Sequence, residues 1–134
     1  VVDTSDKTPL ISIVDDDTSV RSAMVNLFRS LGFAACSFEC AEDYLKSVER
    51  RQTRCIVSDV QMPGTSGLEL QSRLAAQNDH TPIIFITAFP KPDVKRRALD
   101  AGAICFLTKP CDRHTLVKCI EDALKGRRPD HGCC

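Results

Sequence analysis

The order of apolar segments predicts an α/β fold, a doubly wound, five-stranded parallel sheet with five helices packed on both faces. Two observations carry this expectation. Short apolar runs of strand length alternate five times with stretches whose apolar residues recur at helical spacing. Such alternation needs a crossover between successive parallel strands, and right-handed crossovers cover both faces of the sheet. The 134 residues, 43% of them apolar and 27% charged, are enough for one domain with a sizeable core.

The strand-like runs span residues 10–14, 34–38, 55–58, 83–86 and 104–107. Their continuous apolarity marks strands buried on both faces. In the first helical stretch Val20, Met24, Leu27, Phe28 and Leu31 share a face, and Gly32 follows as a C-terminal stop. Asp17 and Thr18 precede that helix, where a short acceptor side chain caps free amides and a negative charge compensates the helix dipole. Tyr44, Leu45 and Val48 form a shorter second stripe. Leu68, Leu70 and Leu74, after Gly67, form a third; Val94, Ala98 and Leu99 a fourth; Leu116, Val117, Ile120 and Leu124 a fifth.

Composition narrows the function classes. Eighteen basic residues balance eighteen acidic ones, so no global field favours nucleic acid or an anionic membrane. The one basic knot, Lys125, Arg127 and Arg128, reads as a solvated helix end, and no direct nucleic-acid binding is expected. No apolar run approaches the roughly 20 residues that span a bilayer, and VVDTSDKTP lacks the order of a secretion signal. A cytoplasmic location is expected. The eight cysteines, at positions 36, 40, 55, 105, 111, 119, 133 and 134, contain no C-x-x-C pair. They read as reduced structural thiols, with the terminal pair exposed.

Parallel strands bring their carboxyl ends to one edge of the sheet, beside a crevice. The first strand ends in Asp15 and Asp16, the third in Asp59, the fourth in Thr87, and the fifth runs into Lys109-Pro110. Three converging carboxylates repel unless a cation intervenes, and an all-oxygen set suits Mg²⁺ or Mn²⁺. A carboxylate attacks a phosphoryl group only if the incoming oxygens are neutralised, and Lys109 and the Thr87 hydroxyl are placed to help. Small Ala88 leaves an entry path. The inferred reaction is formation of an aspartyl phosphate.

The stretches IVDDD, VSDVQMPGTSGLEL, IIFITA and AGAICFLTKP, in this order and spacing, closely resemble the receiver domain of two-component response regulators, with AGAICFLTKP nearest the FixJ-type branch. The resemblance covers about residues 8–125, and the run from Asp59 to Gly67 is its most telling part. It implies the flavodoxin-like receiver fold with strand order 2-1-3-4-5, in a receiver domain over 9–126 between tails at 1–8 and 127–134. It also implies that Asp59 accepts a phosphoryl group from the phosphohistidine of a sensor histidine kinase or phosphotransfer protein. Asp16 and Asp59 would then bind Mg²⁺ directly with the backbone carbonyl of Gln61, and Asp15 through metal-bound water. Thr87 would bond a phosphate oxygen, Phe106 would rotate inward behind it, and the face of the fourth helix, fifth strand and fifth helix would change. The Lys109-Pro110 bond would be cis. The chain would be a signalling phosphoacceptor rather than an enzyme, able to dimerise through that face once phosphorylated.

Plainer readings stand beside these. Phe106 alone is a core aromatic, and Gly64 and Gly67 are loop residues that allow a turn. His80, His114 and His131 have no clustered partners. The string Asp15-Asp16-Asp17-Thr18 also fits a haloacid-dehalogenase-like phosphatase, but no second acidic pair follows a later strand, and Asp59 would have no duty there. A receiver-like binding module that takes no phosphate is the remaining alternative. Cys111 replaces a bulky apolar residue usual after Lys-Pro, and Phe89 and Gln61 stand where the resemblance implies control over water reaching the acyl phosphate. Pro90 and Pro92 stiffen the loop after Ala88 and delay the fourth helix. The final GRRPDHGCC fits either a stand-alone receiver or the receiver part of a longer regulator.

Overall fold

A computed structural model of the chain describes residues 8–62 and 64–125. Pro63, most of the expected tails, and with them Arg127, Arg128, His131, Cys133 and Cys134, lie outside the described residues. The strands are β1 (Leu10–Val14), β2 (Ala34–Phe38), β3 (Thr53–Asp59), β4 (Ile83–Thr87) and β5 (Cys105–Thr108). They pair in parallel in the order β2-β1-β3-β4-β5. Between them run α1 (Thr18–Ser30), α2 (Ala41–Lys46), α3 (Gly67–Ala76), α4 (Pro92–Asp100) and α5 (Arg113–Leu124), with a 3₁₀ turn at Glu49–Gln52. Strand β3 begins two residues before the apolar run because Thr53 satisfies its hydroxyl inside, 2.7 Å from Ser12 Oγ and donating to Glu49 O at 2.8 Å.

Strand residues alternate between two cores. Ile11, Ile13, Cys55, Val57, Ile84, Ile86, Cys105 and Leu107 face α1 and α5, packing on Phe28, Leu116, Cys119 and Ile120. Val14, Ile56, Ile83, Phe85 and Phe106 face the other way, toward Tyr44, Leu70, Leu74 and Ala98. Each buried side chain of Leu, Ile or Phe size contributes about 1.5–3 kcal/mol relative to exposure, so both faces bind the sheet firmly. Cys55, Cys105 and Cys119 are buried in the first core, while Cys36, Cys40 and Cys111 are half-buried. Burial pushes the Cys55 thiol far above its ordinary value, as befits an inert core residue. No helix among the described residues is long and apolar enough to cross a membrane.

Two apolar residues depart from the stripes. Val48 is 80% exposed, because α2 ends at Lys46: Ser47 Oγ donates to Tyr44 O at 2.7 Å and accepts from Arg50 N at 3.2 Å, turning the chain into the 3₁₀ segment. Leu31 is the C-terminal cap of α1 and half out of the core, and Gly32 takes the reversal at φ +95°. Pro92 occupies the first turn of α4, where its missing N–H costs nothing, so the helix starts at the second proline of the loop.

At the opposite end of the sheet, Asp79 organises the turn into β4. Its carboxylate accepts from Thr81 N at 3.0 Å and Thr81 Oγ1 at 2.5 Å, and from Arg50 Nε at 3.3 Å. Burial alone would raise its pKa, but these donors outweigh it and hold the carboxyl below its ordinary value. A depressed carboxyl stabilises the fold above its unfolded pKa of about 3.9, and that contribution is lost as pH falls through the folded value. Solvent screens the pair with Arg50, so Asp79→Asn is expected to cost about 1 kcal/mol at neutral pH. In urea melts the gap between wild type and variant should close below about pH 4.

Candidate functional site

The register of the sheet builds the site. Val14 pairs with Ser58 across β1 and β3, so the next residues, Asp15 and Asp59, come side by side at the carboxyl edge. Asp15 is 2% exposed and Asp59 9%. Each gives one carboxylate oxygen to a backbone amide: Asp17 N donates to Asp15 Oδ1 at 2.9 Å, and Gln61 N to Asp59 Oδ1 at 3.1 Å. The other oxygens share one cation. Lys109 Nζ lies 2.9 Å from Asp15 Oδ2 and 3.1 Å from Asp59 Oδ2. Burial alone would lower the lysine's pKa, but hydrogen bonds and charge from both aspartates outweigh it and hold the ammonium above its ordinary value.

Asp16 is exposed, and one oxygen from each of Asp15, Asp16 and Asp59 lies within 4.8 Å of the others. Three carboxyl groups face a single ammonium there, an oxygen-only donor set with formal negative charge to spare. That set fits a hard divalent cation, Mg²⁺ or Mn²⁺, held through Asp15, Asp16 and Asp59.

Thr87 ends β4 and is 2% exposed; its Oγ1 accepts from Phe89 N at 3.2 Å, and its carbonyl accepts from Lys109 N at 2.8 Å. Phe106, the expected switch residue, is buried against Phe85, ring centroids 6.3 Å apart. The Lys109–Pro110 peptide is cis. Gln61 is exposed and Phe89 is 69% exposed; with Thr87, Val94 and Phe106 they border a groove of about 530 Å³. His80 and His114 are exposed and belong to no such cluster among the described residues.

Asp17 does different work from its two neighbours. It is the N-cap of α1, its Oδ1 accepting from Ser19 N at 2.9 Å and Val20 N at 3.2 Å. A side chain committed to capping is not the second acid of a phosphatase pair. Three supporting residues were not picked out in the sequence. Arg21 Nη1 donates to Asp15 O at 2.7 Å and its Nη2 to Thr18 Oγ1 at 3.1 Å, the second at the i, i+3 spacing of neighbours on one helix face. Thr65 donates to the Glu42 carboxylate, a bond across 23 positions that no local pattern announces.

A doubly wound sheet in the order 2-1-3-4-5, with aspartates and a lysine gathered at its carboxyl edge, defines the flavodoxin-like receiver fold. The chain belongs to the response regulator receiver domain family, whose pattern matches residues 11–121. It is 40% identical over 119 residues to nodulation protein W of Bradyrhizobium diazoefficiens, covering 89% of this chain and 52% of that protein. Transcriptional regulatory protein FixJ of the same organism is 34% identical over 119 residues, covering 89% and 58%. The solved structure of response regulator StyR superposes with a TM-score of 0.83 at 44% identity, covering 90% of this chain and 61% of that one. The chain thus spans about half the length of the curated relatives it matches. Family membership removes the phosphatase reading.

Gly67 opens α3 directly behind the acidic pair. A Cβ there would lie 2.5 Å from Asp59 O, 2.8 Å from Phe85 Cε1 and 3.0 Å from Val60 Cα. Gly67→Ala is therefore expected to destabilise the fold by about 2 kcal/mol through overpacking, read from the urea midpoint.

Proposed function

We propose that the chain is the phosphoacceptor of a two-component system and that Asp59 is the nucleophile. The observation that carries this is the shared ammonium: Lys109 bridges Asp15 and Asp59 at the strand edge, with Asp16 close by. A carboxylate oxygen of Asp59 attacks phosphorus in the phosphohistidine of a sensor kinase or phosphotransfer protein. The P–N bond breaks, its electron pair stays on the imidazole, and an aspartyl phosphate forms on Asp59. Asp16, Asp59 and the Gln61 carbonyl would hold Mg²⁺, with Asp15 acting through water, and the bound ion would supply positive charge against the phosphoryl oxygens.

Lys109 is already within reach of Asp59 and can follow the transferred group. The Thr87 hydroxyl accepts from Phe89 N and keeps its own proton to donate to a phosphate oxygen. Phe106, in the core beneath Thr87, couples that bond to the face of α4, β5 and α5, the surface through which the phosphorylated chain would pair with a second copy. On this reading the protein is a cytoplasmic switch that promotes its own phosphorylation and dephosphorylation and turns over no other substrate.

Incubation with Mg²⁺ and a small phosphoramidate donor should add one phosphoryl mass to the wild type and none to Asp59→Asn. A wild type with no such gain would leave only the non-phosphorylated binding module.

Phe89 and Gln61 line one groove, and the family resemblance gives both of them control over water reaching the acyl phosphate. The bulky ring shields the acyl phosphate, so Phe89→Ala should lose its phosphoryl group faster than wild type. Chase by intact-mass measurement checks this, and slower loss from the variant would refute the shielding role.

A further inference from the structure

The loop between β3 and α3 presents Gln61, whose backbone carbonyl is the third protein ligand of the proposed site. A carbonyl cannot be re-aimed by choosing another rotamer; its direction is set by the path of the backbone on either side of it. That path is tied at its ends and once in between. Gln61 N donates to Asp59 Oδ1 at 3.1 Å, and Gly67 N donates to Val60 O at 2.8 Å, closing the loop on itself. Ser66 is spent on α3, where it forms a capping box with Glu69. Thr65 is different. It is 5% exposed, and its hydroxyl donates to the carboxylate of Glu42, in the first turn of α2, which precedes β3 in the chain.

A buried hydroxyl requires a partner, and a charged acceptor makes a stronger hydrogen bond than a neutral one. The bond is felt at the other end too: donation from Thr65 holds the Glu42 carboxyl below its ordinary range, so it is ionised under working conditions. Neither residue belongs to the acidic cluster, and neither is within the set that touches Lys109.

We propose that Thr65 and Glu42 form a brace that positions the Gln61 carbonyl for the divalent cation, so that Thr65 and Glu42 are positioning residues for metal binding rather than catalytic ones. This rests on the phosphoacceptor reading above and deepens it. Loosening the brace leaves Asp16, Asp59 and Lys109 in place. The loss therefore falls on metal affinity and not on the chemistry once metal is bound.

The full chain should be titrated with MgCl₂ by calorimetry, and its phosphorylation by a small phosphoramidate followed against Mg²⁺ concentration. For Glu42→Ala and Thr65→Val the expected result is about a tenfold rise in half-saturating Mg²⁺, as for loss of an outer partner of a ligand. The rate at saturating Mg²⁺ should stay within about twofold of wild type in the same comparison. Thr65→Ser, which keeps the hydroxyl, should restore wild-type affinity. Glu42 is only half-buried, so Glu42→Ala reads the effect even where Thr65→Val impairs folding. Variants that bind Mg²⁺ as wild type does, or a Thr65→Ser no better than Thr65→Val, would overturn the brace alone. A wild type that neither binds Mg²⁺ nor gains a phosphoryl group would overturn the phosphoacceptor reading and the brace with it.

Discussion

The sharing of one ammonium by two buried carboxylates is the constraint on which the rest of this structure depends. Neighbouring strands of a sheet lie about 4.8 Å apart, so the end of β5 is roughly 10 Å from the end of β3 and farther still from β1. Only a long, flexible cation can close that distance, and Lys109 does so while keeping both contacts near 3 Å. Without it, Asp15 and Asp59 would face each other in a site that excludes most water, at a cost of several kcal/mol. Strand order makes the juxtaposition possible. The chain leaves β1 for β2 on one side and returns to β3 on the other, so the crevice opens at the carboxyl ends of β1 and β3.

The two cores serve that edge. Alternation of side chains along each strand sends odd positions of β1 and β3 toward α1 and α5 and even positions toward α2, α3 and α4. Both faces being covered, no strand can slip by one residue without turning its apolar set inside out. Register is thereby locked, and with it the pairing of Asp15 beside Asp59. The loops at that edge are held by local ties instead: Arg21 donates to the carbonyl of Asp15, Thr65 donates to Glu42, and Gly67 lies close against Asp59. Rigid strands place the charges, and locally tied loops adjust what surrounds them.

Most of the fold was legible because its signals are periodic and local. Continuous apolar runs marked all five strands, and Asp17 before Val20 marked the cap that the structure confirms at α1. Boundaries drifted where polar residues belong to buried elements, as at Thr53, or where a serine ends a helix early and exposes Val48. Of the site, the strand-end residues Asp15, Asp59, Thr87 and Lys109 were found because topology alone sends strand ends to one edge. Thr65 and Glu42 were not, since a single hydrogen bond between a loop and a distant helix leaves no period, no spacing and no compositional trace.

Strand parity also separates the chemistry from the surface it is proposed to control. Asp15 and Asp59 follow the positions of β1 and β3 that face α1 and α5, whereas Thr87 continues the line of Ile83 and Phe85, which face α4. Events at Asp59 are thus on one side of the sheet and the α4 packing on the other, with no side chain shared between the two cores. Thr87 stands where the two meet: its carbonyl receives the amide of Lys109, and its hydroxyl is bonded to the loop that leads into α4. Phe106 pairs in register with Phe85 beneath it and is already buried. The Thr87 hydroxyl, accepting from Phe89 N, ties the carboxyl end of β4 to the loop that runs from Phe89 into α4 at Pro92.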